Sequence, residues 1–106
     1  MLSSRWNPPA DLYHTPEGWA IKLDLAGVRP EDVTLELVGR DLHISGSRRD
    51  LVLAEGWRHY SMEIEYNHFE RVVRLPRELR NVLISSEFQD GMLLIRLKGM
   101  GEGSHG

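Results

Sequence analysis

The chain contains no cysteine. That single absence excludes disulfide frameworks, thiolate nucleophiles and cysteine-ligated metal centres. Long apolar runs are also missing: nothing approaches the roughly 20 residues that a bilayer span requires, and Met1–Pro9 lacks the apolar core of a signal sequence. There is no cationic excess, since 13 Lys and Arg face 16 Asp and Glu for a net charge of −3. The electrostatic footprint of a nucleic-acid partner is therefore missing. These readings give the expectation of a cytoplasmic protein with no membrane and no nucleic-acid partner.

Catalytic signatures are equally scarce. No Gly-X-Ser-X-Gly elbow occurs. The glycine-rich Gly99-Met100-Gly101-Glu102-Gly103 follows the last apolar run and opens no helix, unlike a phosphate-binding loop. The five histidines, His14, His43, His59, His68 and His105, share no metal-ligand spacing. They read as surface or structural residues, with His59 and His68 flanking a polar loop. The carboxylate pairs Glu31/Asp32 and Glu63/Glu65 fall on expected solvent faces. No enzyme, no cofactor and no metal site is expected.

What is present is alternation. With 106 residues, 41% of them hydrophobic and 27% charged, the chain suits one globular domain. Trp19, Ile21, Leu23 and Leu25 alternate with Ala20, Lys22, Asp24 and Ala26, the period of a half-buried strand. The same period recurs over Val33–Leu37, Leu42–Gly46, Tyr60–Glu65, Phe69–Leu75, Val82–Phe88 and Met92–Lys98, with a shorter strand over Asp11–Thr15. Pro16-Glu17-Gly18, Gly39-Arg40-Asp41 and Gln89-Asp90-Gly91 punctuate them as turns, and Arg77–Arg80 has the length of one helical turn. Turn signals this frequent predict an all-β, immunoglobulin-like β-sandwich of about seven or eight antiparallel strands in two sheets. The domain boundaries read as a lead-in over 1–9, the sandwich over 10–98 and a flexible Gly-rich tail over 99–106.

Aromatic placement adds a candidate contact surface. Trp19 fits the buried face of its strand, whereas Trp6 precedes the domain and Trp57 lies in a charged loop. Trp57 with Tyr60, Met62 and Ile64 reads either as half of a subunit interface or as simple intrachain packing. The apolar faces of Val33, Leu35 and Leu37 and of Leu83 with Ser85 suggest a slot between sheets that takes an extended peptide, with ordinary core packing as the alternative.

The order of Trp6-Asn7-Pro8-Pro9-Ala10-Asp11, Asp24-Leu25-Ala26-Gly27-Val28 before Glu31-Asp32-Val33, Leu42–Arg48, Phe69-X-Arg71 with Leu75-Pro76, and Gly91-Met92-Leu93 resembles the alpha-crystallin domain of small heat-shock proteins, in its bacterial or archaeal form. The resemblance runs from about Trp6 to Lys98. It implies an ATP-independent chaperone that holds partly unfolded client proteins, and a homodimer made by strand exchange. The strand within Trp57–Glu65 would pair with a partner's strand near Asp11–Thr15, so Leu12, Tyr13, Trp57, Tyr60, Met62 and Ile64 become interface residues. The family's peptide groove maps onto Val33, Leu35, Leu37, Leu83 and Ser85, where an Ile-X-Ile tail of another small heat-shock subunit would bind. Departures from the pattern are Ala26 for the usual Pro, Ser47 for the usual Glu and Asn67 for a common Gly. The short N-terminal arm and the absence of an Ile-X-Ile motif after Lys98 predict a dimer with an empty groove. The alternative is a sandwich adaptor like the CS-type co-chaperone domains, or an accessory subunit of a larger assembly with little holding activity of its own.

Overall fold

A computed structural model describes residues 6–49, 54–64 and 67–99. Among them are seven strands: β1 (Ala10–Thr15), β2 (Gly18–Asp24), β3 (Val33–Val38), β4 (Asp41–Ser47), β5 (His68–Arg74), β6 (Val82–Gln89) and β7 (Met92–Gly99), with a 3₁₀ turn at Pro30–Asp32. They form two antiparallel sheets, of order β1-β2-β7-β6 and β3-β4-β5. The sandwich read from the alternation is thus the fold of the chain. Gly99, placed with the tail from sequence, is the last residue of β7.

Turn chemistry fixes the hairpins. Between β6 and β7, Gln89 pairs with Met92, which leaves a two-residue loop of Asp90 (φ 53°) and Gly91 (φ 80°). Two consecutive positive φ values make the type I′ turn whose twist matches that of its strands, and Asp-Gly is a preferred sequence for it. Thr15 pairs with Gly18 across Pro16-Glu17, where the Thr15 hydroxyl accepts the Gly18 N–H at 3.0 Å.

The inner faces interlock as the period of two demands. Ile21, Leu23 and Leu25 from one sheet, with Leu93, Ile95 and Leu97, meet Leu42, Ile44, Phe69, Val73 and Leu75. Each such aliphatic contributes about 1.5–3 kcal/mol by leaving water. Gly46 is required by crowding: a Cβ there would strike the Asp32 carbonyl oxygen and press on the Phe69 ring.

Three expectations change. Arg77–Arg80 forms no helical turn, because four residues without a continuing ladder cannot meet the cost of nucleation. Residues 60–64 form no strand, since they find no neighbour to pair with among the described residues; Glu65 lies outside them. Trp19 is only half-buried, packing on the core while its indole meets the His14 ring at 4.4 Å between centroids.

Candidate functional site

Each sheet ends in exposed edges, and two of these edges face each other. β3 closes one sheet and β6 the other. Between them opens a cleft of about 160 Å³ lined by Pro30, Val33, Leu35, Ser86, Glu87, Phe88 and Leu93. Its floor is apolar and its rim carries the Glu87 carboxylate, which pairs with Arg96 at 3.4 Å.

Register decides which β6 side chains can reach this cleft. Directly paired antiparallel residues share a face. Ile84, Ser86 and Phe88 pair with Leu97, Ile95 and Leu93, all core residues, so they face inward. Leu83 and Ser85 pair with Lys98 and Arg96 and so face outward, Leu83 being 56% exposed. Of the groove residues expected from sequence, Val33 and Leu35 line the cleft, and Leu37 shares their half-buried face nearer the β3–β4 turn. On β6, Ile84 and Ser86 are the inward-facing neighbours of Leu83 and Ser85. Val82-Leu83-Ile84 is apolar throughout, so its composition does not reveal the frame.

The second candidate surface combines an edge with an arm. β1 is the outer strand of its sheet. Leu12 pairs with Ile21 and so faces the interior, 39% exposed; Tyr13 pairs with Ala20 on the outer face, 42% exposed. The Lys22 ammonium lies 5.3 Å from the Tyr13 ring centroid. Hydrogen bonding to Tyr13 raises the Lys22 pKa above the ordinary lysine value, with the Asp11 charge adding to it. The arm over 54–64 holds Trp57, Tyr60, Met62 and Ile64 at 63%, 101%, 51% and 60% exposure. The structure brings none of these four against β1 of the same chain.

Two features escaped the sequence reading. Arg71 lies between buried Phe69 and Val73 on β5 and pairs with buried Ile44, so its side chain starts on the inner face. Its Nε is buried with no hydrogen-bond partner among the described residues. Trp6, read as lying before the domain, packs on the core instead. Its ring meets Phe69 edge-on at 5.4 Å, and the Arg48 guanidinium sits 3.8 Å above it. A tryptophan beside Pro-Pro and an arginine at a strand's end were the signals available. At the far side of β4, Arg49 donates to Asp32 at 2.6 Å, and that hydrogen bond raises the Arg49 pKa above its ordinary value.

Edges, cleft and motif order together point to one family, whose model matches residues 11–103. The chain belongs to the Hsp20/alpha crystallin family. Small heat-shock proteins of this family are ATP-independent chaperones, not enzymes. Over 90 residues the chain is 23% identical to small heat shock protein C2 of Rickettsia felis, covering 85% of this chain and 58% of that protein. Spore protein SP21 of Stigmatella aurantiaca is 28% identical over 101 residues, covering 91% of this chain and 60% of that one. The chain therefore spans about three-fifths of the length of these relatives. Among solved structures, heat shock protein 16.0 from Schizosaccharomyces pombe superposes with a TM-score of 0.77 at 24% identity, covering 91% of this chain and 89% of that one. HspA from Xanthomonas axonopodis gives 0.72 at 24% identity over 91% and 96%. Both carry the same fold as this small heat-shock sandwich. Among the described residues, no group of three His, Cys, Asp or Glu side chains could hold a metal, and no helix is long and apolar enough to cross a membrane.

Proposed function

We propose that this small heat-shock domain is an ATP-independent holdase that binds partly unfolded proteins and keeps them from aggregating. The observation that carries the reading is the arm over 54–64. It presents Trp57 and, in strand-like alternation, Tyr60, Met62 and Ile64 to solvent, beside a sandwich in which β1 is the outer strand of its sheet. Exposed apolar surface of that size marks a contact.

In this reading the working unit is a homodimer. The arm leaves its own subunit and lies along β1 of the partner, with Trp57, Tyr60, Met62 and Ile64 meeting Leu12 and Tyr13. Pairing supplies the neighbour that the arm lacks among the described residues of one chain. The cleft between β3 and β6 takes extended apolar peptide, including Ile-X-Ile tails of other small heat-shock subunits, with Val33, Leu35, Ser86 and Phe88 as its side-chain contacts. Residues 10–98 carry the chaperone domain, with 1–9 as lead-in and 99–106 as tail, and the site of action is the cytoplasm.

The test is light scattering from a thermally unfolding client, with and without the chain and with no ATP. Suppression near equal subunit ratios is expected. Undiminished scattering at a severalfold excess of the chain would overturn the holdase reading.

A further inference from the structure

The lead-in that carries Trp6 is held to the sandwich in an unusual way. Trp6 and Pro8 face in while Asn7 and Pro9 face out, so the segment is extended, with Pro8 wholly buried. It runs parallel to β5 through a single bridge, Trp6 to Phe69. Two main-chain hydrogen bonds tie its ends: Trp6 N–H donates to the His68 carbonyl, and Asp24 N–H donates to the Pro9 carbonyl, both at 3.2 Å. Pro8 and Pro9 have no N–H to add. The attachment is therefore mainly side-chain packing in a slot assembled from distant parts of the chain.

That slot has a defined chemistry. Phe69 forms its base and is wholly buried with the Trp6 ring edge-on against it. Arg48 forms its cover, its guanidinium stacked 3.8 Å from the indole and its Nη1 donating to the Ala26 carbonyl at 3.0 Å. A planar guanidinium over an indole is the preferred cation–π arrangement. The Ala26 carbonyl holds Arg48 independently of Trp6, so the cover stays in place when the indole leaves. Beside the slot runs the outer edge of β5, whose other edge is taken by β4.

We propose that Trp6–Pro9 is a removable strap over a binding slot for an aromatic residue on an extended chain. Lifting the strap opens the slot and the adjoining β5 edge to an unfolding client. An unfolded segment carrying Trp, Tyr or Phe brings what the strap brings: an aromatic edge for Phe69, a π-face for Arg48 and an N–H for the His68 carbonyl. The strap therefore competes with the client for one site, and heating, which favours the detached state through chain entropy, shifts the balance towards capture. The client half of this proposal rests on the holdase reading above; the strap half does not.

The test uses the full chain, its Trp6→Ala variant and a peptide with the sequence of residues 4–10, followed by ¹⁵N NMR. The peptide should shift His68, Phe69 and Arg48 in Trp6→Ala. A strap open about one-tenth to one-hundredth of the time weakens the peptide on the unaltered chain by roughly ten- to a hundredfold. Equal affinity for both proteins, or shifts confined to other strands, would overturn the proposal, and so would a Trp6→Ala chain that no longer folds, since a strap cannot be essential core. Arg48→Lys keeps the charge and loses the planar stack; it should bind the peptide with intermediate affinity and still fold. In the client assay Trp6→Ala should hold at lower ratios than the unaltered chain, and the peptide should cancel that gain. If neither protein holds clients while the peptide still prefers Trp6→Ala, the client half fails and the strap stands.

Discussion

The β2–β7 pair and the arm over 54–64 are written in the same alternating pattern and come to opposite ends. In β2 and β7 the apolar positions Ile21, Leu23, Ile95 and Leu97 are almost wholly buried. In the arm, Tyr60, Met62 and Ile64 recur at the same spacing and stand in solvent. The difference lies in neighbours. β2 and β7 each have strands on both sides, whereas the arm pairs with no strand among the described residues. A period of two specifies which face of a strand wants burial and leaves open which chain supplies it.

Removing the arm is the bluntest way to break this comparison. Deleting Leu51–Glu65 should abolish dimerisation outright while the strand amide signals of the sandwich persist; sedimentation velocity reads the change, and an intact dimer would sink the exchange model. Next comes Ile95→Ala, which opens a cavity in the core and should cost about 2–5 kcal/mol in urea unfolding. The matched change Ile64→Ala should leave the stability of a dilute, monomeric sample within about 0.5 kcal/mol. A comparable loss in both would mean that the arm is core after all.

The cleft gives a finer contrast. Ser86→Trp, aimed inward, should weaken an Ile-X-Ile peptide at least about tenfold, or 1.4 kcal/mol. Leu83→Trp, one residue away and facing outward, should leave that affinity unchanged by the same titration. The smallest effect belongs to the exposed Arg96–Glu87 pair, 3.4 Å apart. Arg96→Ala should lower the unfolding free energy by no more than an exposed ion pair contributes, about 0.2–1 kcal/mol.

Strands and hairpins were legible because their signals are local. Asp90-Gly91 announces its turn, and Trp19 to Leu25 announces which side is inward. Positions set by a distant partner were not. Leu83 and Ile84 are equally apolar, and only pairing with Lys98 and Leu97 assigns them to opposite faces. Trp6 looked detached because two prolines follow it, yet its partners Arg48 and Phe69 lie roughly 40 and 60 residues further along the sequence. The strand-like pattern of the arm is legible in Tyr60, Met62 and Ile64, but that pattern leaves open whether a subunit interface or intrachain packing takes it up. Arg71 shares the alternation of Phe69 and Val73, so the period of two carried the sign that its side chain points inward.

That inward arginine has a consequence for solubility. A sandwich with bare edges risks stacking edge to edge into fibrils. Arg71 places a guanidinium on the inner face of β5, with its buried Nε still lacking an acceptor among the described residues. That N–H is out of water in the single chain already, at about 1–3 kcal/mol or more for a charged donor, so a segment that brings it an oxygen gains there what a purely apolar one does not.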